Sequence, residues 1–396
     1  MKKTQSQVND RLSTKDHLIT IFLGGDVMTG RGIDQILPHP SDPFIPEAYL
    51  KDAREYVRLA EEANGSIPNP VSFSYIWGDA LEEWEQVSPD VKLINLETSI
   101  TLSNEYWWGK GINYRMNPEN IGCLAAAKID CCVLANNHVL DWGYSGLRET
   151  IATLKTAEIK TAGAGLNRQL AEAPAIMEVR GKGRAIAFSF GVTTSGIPTS
   201  WAAGTDKLGV NLLPDLSPRT VRYIQKQVDR VKRSGDVVVA SIHWGGNWGY
   251  EILPQQIEFA HQLIDRAGVD LIHGHSSHHV KGMEIYRDRL IIYGCGDFID
   301  DYEGISGYEY FRDDLGLMYF ATLDSDTGKL VNLQMIPTQI KRLRVQRAST
   351  VDLLWLRERL NREGKRFGTS VEWDGHKTLT LEKLDQIPSS RDMSTI

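Results

Sequence analysis

The chain has 396 residues, 41% hydrophobic and 24% charged, a balance that excludes an intrinsically disordered protein. A formal net charge of −7 provides no basic field to gather phosphates, so nucleic acid is not an expected partner. No apolar run reaches the ~18 residues that span a bilayer. Cys123, Cys131, Cys132 and Cys295 form neither a metal-type pair nor a disulfide framework, which predicts a reduced, cytoplasmic protein.

Residues 1–16 are polar, lack the apolar core of a signal peptide, and read as disordered or loosely packed. A first strand over 18–23 runs into Gly24-Gly25-Asp26. The proline-rich stretch 37–70 reads as a surface insertion or lid, with a helix over 52–63. The strand predicted over 91–94 ends in Asn95-Leu96-Glu97. After a helix at 118–128, the strand at 129–134 leads into Ala135-Asn136-Asn137-His138, with Asp141 close behind. Helices follow at 145–157, 218–233 and 254–267, and strands at 185–190, 236–242, 269–272 and 290–293. The last three of these strands end in His243-Trp244-Gly245, His273-Gly274-His275-Ser276-Ser277-His278-His279 and Gly294-Cys295-Gly296-Asp297. A hairpin is expected over 315–336, turning at 324–328. Strands alternating with helices imply an α/β fold, and near-continuous apolar runs suit strands buried on both faces. Residues 17–337 read as one domain, and 338–396 as a C-terminal extension packed on it, with a helix over 351–362.

The reactive residues fall where strands end. Six of the ten histidines lie in three short blocks just past buried-type strands. In open α/β sheets, ligands bind beyond the carboxyl ends of the strands. Several such ends, each delivering Asp, Glu, Asn or His, make a mixed nitrogen and oxygen site for divalent metals. Singly, each residue has a plainer reading: a helix cap for Asp26, a turn for Asn136-Asn137, a satisfied polar group for His273. Only their joint occurrence points to a metal site. Trp244, Trp248 and Tyr250 read first as packing, with Trp244 retained as a candidate substrate-facing wall. Arg31 and Arg115 are candidates to receive a carboxylate or phosphate in a bidentate fork, against the alternative of an ordinary ion pair. No Ser or Cys is paired with a base, and no phosphate-binding loop is present.

Together and in order, Gly25-Asp26-Val27-Met28-Thr29-Gly30-Arg31, Asn95-Leu96-Glu97, Asn136-Asn137-His138 with Asp141, His243-Trp244-Gly245, Gly274-His275-Ser276-Ser277-His278 and Tyr293-Gly294-Cys295-Gly296-Asp297-Phe298 resemble the CapA family. That is the poly-γ-glutamate capsule synthesis family, a branch of the calcineurin-like metallophosphatases. The resemblance implies a four-layer α/β/β/α sandwich with two divalent ions, Mn, Fe or Zn, at the strand ends. Carried over, Asp26 and His278 serve one ion, Asn137, His243 and His275 the other, and Glu97 takes the bridging position. His138 becomes the acid or anion-stabilising group, with Asp141 orienting its ring. His273 and His279 are expected to be bystanders. Met28 occupies a position where the superfamily usually has a histidine, which weakens the phosphatase reading. Unlike capsule-synthesis members with a membrane anchor, this chain shows no span. The implied activity is metal-dependent hydrolysis of a small or peptide-like anionic substrate, suggested by the family to be γ-glutamyl. A non-hydrolytic role in polymer or peptide assembly and a plain phosphoesterase are the alternatives. Oligomeric state is not encoded in any motif.

Overall fold

The structure is a computed structural model that describes residues 17–384. The expectation for 1–16 lies outside the described residues, as does that for the last residues of the C-terminal extension.

Two large sheets dominate the fold. Across the first, the main strand order is Thr369–Trp373, Leu379–Lys383, Leu330–Ile340, Leu315–Asp324, Leu18–Val27, Val91–Leu96, Cys131–Val133, Lys160–Ala162. The last four of these strands run parallel, and Leu18–Val27 meets the long hairpin Leu315–Asp324 and Leu330–Ile340 antiparallel. The second sheet runs Met283–Tyr286, Arg289–Ile292, Leu271–His275, Asp236–His243, Gly183–Gly191, Ala175–Val179, with a parallel centre and an antiparallel strand at each edge.

Side-chain alternation explains why these strands are apolar throughout, because successive residues point to opposite faces. Ile19, Ile21 and Leu23 join Ala185, Ala187, Val237 and Val239 in a core between the sheets. Phe22, Ile94 and Leu134 face the other way, onto a cluster that includes Trp84, Leu147 and Leu154 from the helices Ala80–Val87 and Gly143–Thr156. Ile186, Phe188, Val238 and Ile242 face a third cluster with Val221 and Ile224 from Pro218–Asp229 and Phe259 and Leu263 from Pro254–Ala267. The helix Pro254–Ala267 has the bounds its sequence signals: a proline at its first turn and Gly268, at φ 70°, at its end.

Past Pro337 the chain stays in the body of the fold. Leu330–Ile340 runs through that proline, Leu353, Leu356 and Leu360 of the helix Thr350–Gly364 enter the inter-sheet core, and the final two strands extend the first sheet. The helix expected over 118–128 is instead a 3-10 turn, Pro118–Ile121, followed by the short helix Gly122–Ala126. Strands Lys160–Ala162, Ala175–Val179 and Met283–Tyr286 were not foreseen; each lies at or near a sheet edge, where short, partly polar segments carry little apolar pattern. Among the described residues, no helix is long and apolar enough to cross a membrane.

Candidate metal centre and cleft

Parallel register brings the strand ends together. Asp26 pairs in register with Asn95 on one side and Asp297 on the other, and His243 pairs with His275. The approach of Leu18–Val27 to the Gly296 turn is close: a Cβ on Gly25 would lie 1.8 Å from the Gly296 carbonyl oxygen. The Asp26 amide donates to that same carbonyl at 3.0 Å. Glycine before Asp26 is thus a steric requirement for seating its carboxylate beside Asp297.

Two three-residue groups result, each with donor atoms within 4.8 Å of one another: Asp26, His243 and His275, and Asp26, His278 and Asp297. Asp26 is common to both. His243 Nε2 lies 3.0 Å from Asn137 Oδ1 and 3.1 Å from Glu97 Oε1, and its Nδ1 lies 2.8 Å from His275 Nδ1. His278 Nδ1 is 3.0 Å from Asp297 Oδ2. All six residues expected as ligands therefore meet at one edge of the two sheets. The arrangement differs from the expected one at two points. The carboxylate shared by both groups is Asp26, with Glu97 set beside His243, and Asp297 joins His278 as an acid that the motif reading left unassigned. Met28 turns its sulfur to the Gly30 amide, 3.1 Å away, and offers nothing to the centre.

The bystander histidines are held elsewhere. His273 bridges the Gly24 carbonyl and Ser241 at 2.8 and 3.0 Å. His279 packs on Phe311 with ring centroids 4.8 Å apart.

The electrostatics fit a divalent cation. Burial, then the neighbouring Asp297, pushes the Asp26 carboxyl up to about 8. Burial, reinforced by Asp26 and Asp297, drives Glu97 well above the carboxylate range, and burial does the same to Asp297. His243 and His275 are held far below the usual imidazole value, again chiefly by burial. Among the described residues, no Lys or Arg pairs with Asp26, Glu97 or Asp297, whose ionic partners are histidines. Neutral imidazoles facing crowded carboxylates in a buried pocket are a donor set that a divalent ion neutralises. A pH signature follows. Asp26, raised from 3.8 to about 8, binds a proton in the folded but not the unfolded chain between those values, so its contribution to stability declines as pH rises through them. Histidines lowered from 6.5 act in the opposite sense only as pH falls through 6.5. Chelator-treated protein is expected to lose thermal stability from pH 6.5 to 8, with a shallower slope in Asp26→Asn. Scanning fluorimetry across that range checks it; a flat or rising profile contradicts it.

Beside the centre, His138 Nδ1 lies 2.7 Å from Asp141 Oδ2 and 2.9 Å from Lys110 Nζ. Lys110 also donates to Asp141 Oδ1 and to the Asn137 carbonyl. The Tyr114 ring stacks on the imidazole at 4.0 Å between centroids, and its amide donates to Asp141 at 2.7 Å. Asn136 ties the turn down: its side chain donates to the Leu96 carbonyl and accepts from the His138 amide. The imidazole is thus held at its Nδ1 edge by Asp141 and Lys110 and on one face by Tyr114. It opens onto a cleft of about 670 Å³ whose wall includes Asn137, His138, His278, Lys110, Trp248 and Tyr302.

Three residues expected to meet substrate do not do so freely. Trp244 is a core side chain, 2% exposed, donating its indole N–H to the Tyr293 carbonyl at 3.0 Å and stacking on Tyr293. Arg115 donates to the Ser103 and Asp42 carbonyls and to Asn104, and lies over Trp142, which leaves no fork to offer. Arg31 does line the cleft, but its guanidinium is taken by Asp301 and Glu47 and covered by Tyr56 at 3.7 Å. The physical reason is common to all three: a buried arginine or indole N–H requires satisfied partners, and the chain supplies them internally. Trp244→Ala is therefore expected to cost ~3–5 kcal/mol of stability in urea unfolding, while Trp244→Phe leaves activity in place. Normal stability in Trp244→Ala contradicts that placement. Lys110, Tyr114 and Tyr302 carry no signal in the sequence, because they lie in segments without ligand-type spacing; Trp248, read first as packing, lines the cleft, and Asp297 carries the signal of one more acid past a strand.

Comparison with known proteins gives a consistent picture. Residues 20–302 match the family described as bacterial capsule synthesis protein PGA_cap. A probable polyglutamine synthesis accessory protein of Mycobacterium tuberculosis is 49% identical over 355 residues, covering 89% of this chain and 93% of its own. The capsule biosynthesis protein CapA of Bacillus anthracis is 24% identical, over 82% of this chain and 68% of its own. The PGA biosynthesis protein CapA of Bacillus subtilis is 22% identical, over 94% and 85%. The match over most of the chain, with strand-end acids, asparagines and histidines in the expected order, means that this protein belongs to the bacterial capsule synthesis (PGA_cap, CapA) family, within the metallophosphatase-like superfamily.

Proposed function

We propose that this protein is a metal-dependent hydrolase serving polyglutamate-type synthesis, acting on an amide of an acidic, γ-glutamyl-type substrate through a dinuclear centre. The observation that carries the reading is the pair of donor groups joined at Asp26, with His278 and Asn137 lining the same cleft as His138. The two sheets with helices on their outer faces support assignment to the four-layer α/β/β/α arrangement. Asp26, His243 and His275, with Asn137 and Glu97, would hold one ion, and Asp26, His278 and Asp297 the other. A divalent pair of this kind activates water near neutral pH and polarises the bond under attack. Burial, then the neighbouring Lys110, keeps the His138 ring neutral, so it would take a proton from the attacking water and pass it to the leaving amine. With Nδ1 directed at Asp141 or Lys110, its other ring nitrogen is the one able to exchange a proton with a bound molecule. Asp141 and Tyr114 fix the ring plane, and Lys110 anchors the turn that carries it.

A phosphoesterase is disfavoured because Met28 stands where the metallophosphatase superfamily usually has a histidine, and it turns its sulfur to the Gly30 amide instead. The test gives metal-loaded protein γ-glutamyl peptides and aryl phosphates side by side, with Asp26→Asn as control. Amide cleavage lost in the control is expected. Phosphate release without amide cleavage supports the phosphoesterase, and silence on both supports a non-hydrolytic role in assembly.

A further inference from the structure

The walls of the cleft carry an asymmetry in charge. Arg31 is matched by Asp301 and Glu47, and Lys110 by Asp141, so neither cation is available to an incoming group. Asp313 also lines the cleft, and among the described residues no Lys or Arg pairs with it. The adjacent Arg312 is turned away, donating to Asp314 and Asp352, each at 2.7 Å. Aromatic rings surround the same side. Trp248 and Tyr308 are stacked with centroids 3.9 Å apart, and Trp248 and Tyr302 lie 5.3 and 5.2 Å from the His278 ring. Aromatic faces beside a carboxylate that no Lys or Arg neutralises form an environment that attracts an ammonium ion.

Taking the proposed hydrolase cleft as the substrate site, we infer that its Asp313, Trp248 and Tyr308 wall seats a primary ammonium group of the substrate. A γ-glutamyl chain carries a carboxylate on every unit but an amine only on its first. An ammonium seat on the His278 side therefore places the amino end of the chain there, with its first amide in the same cleft as His138. The substrate class becomes an amine-terminated γ-linked peptide, and cleavage is from the end rather than within a polymer.

The test is binding. Full-length, metal-loaded protein is titrated by calorimetry with γ-glutamylglutamate and with its N-acetyl derivative, in the wild type and in Asp313→Asn. The wild type is expected to bind the free-amine dipeptide at least ~10-fold more tightly, a difference of about 1.4 kcal/mol, and Asp313→Asn to bind both alike. Equal binding in the wild type, a preference that survives in Asp313→Asn, or no binding of either dipeptide overturns the inference. Turnover of the free-amine dipeptide in the same samples reports separately on the hydrolase reading. Selective binding without cleavage keeps the ammonium seat and removes the hydrolase.

Discussion

Asp26→Asn is expected to abolish activity, with a loss beyond the ~10–100-fold that outer partners of a metal ligand usually control, and to lower metal content at both positions. Among the described residues Asp26 is the carboxylate common to both donor groups, so its substitution reaches both. The amide preserves shape and removes charge from a centre where burial and Asp297 already push the carboxyl up to about 8. Metal-free Asp26→Asn protein is therefore expected to melt at a higher temperature than the metal-free wild type near pH 8. Loss of function with gain of stability is the mark of a site strained for its chemistry. Elemental analysis, activity and melting on the same preparations check all three. Retention of both ions, or a lower melting temperature without metal, contradicts the shared role.

His138→Ala is expected to reduce turnover ~10²–10⁴-fold, the usual worth of a general acid or base, while metal content stays near that of the wild type. The imidazole is bound to Asp141 and stacked on Tyr114, and belongs to neither donor group. His243→Ala is the matching control, because His243 sits in a donor group and should take metal with it. Unchanged turnover in His138→Ala, or metal loss equal to that of His243→Ala, contradicts the separation of holding and proton-transfer roles.

How much of this is legible in the sequence depends on whether a feature is local. The strand ends are local: Gly-Asp, Asn-Leu-Glu, Asn-Asn-His and the histidine block each announce themselves, and the fold brings all six expected ligand positions together. The central strands are legible because both of their faces are buried, which writes an apolar run such as Val237-Val238-Val239-Ala240 within Asp236–His243. Which carboxylate lies between the two donor groups is not local. It depends on Leu18–Val27 pairing with both Val91–Leu96 and the strand of Asp297, and spacing along the chain does not encode that register. The same limit explains the arginines. Arg31 looks like a free anion receptor until Asp301, 270 residues away in sequence, closes on it. Trp244 and Trp248 share one glycine-rich stretch, yet Trp244 enters the core and Trp248 the cleft wall, a difference made by the end of the strand at His243.

The central claim is a two-ion centre built on Asp26, and metal content tests it most directly. Full-length protein purified without chelator, then dialysed against Mn, Fe or Zn, is measured by elemental analysis beside Asp26→Asn. The account predicts between one and two equivalents of divalent metal in the wild type and a clear loss at both positions in the variant. Less than one equivalent in the wild type after every one of these dialyses, or equal content in the two proteins, contradicts it.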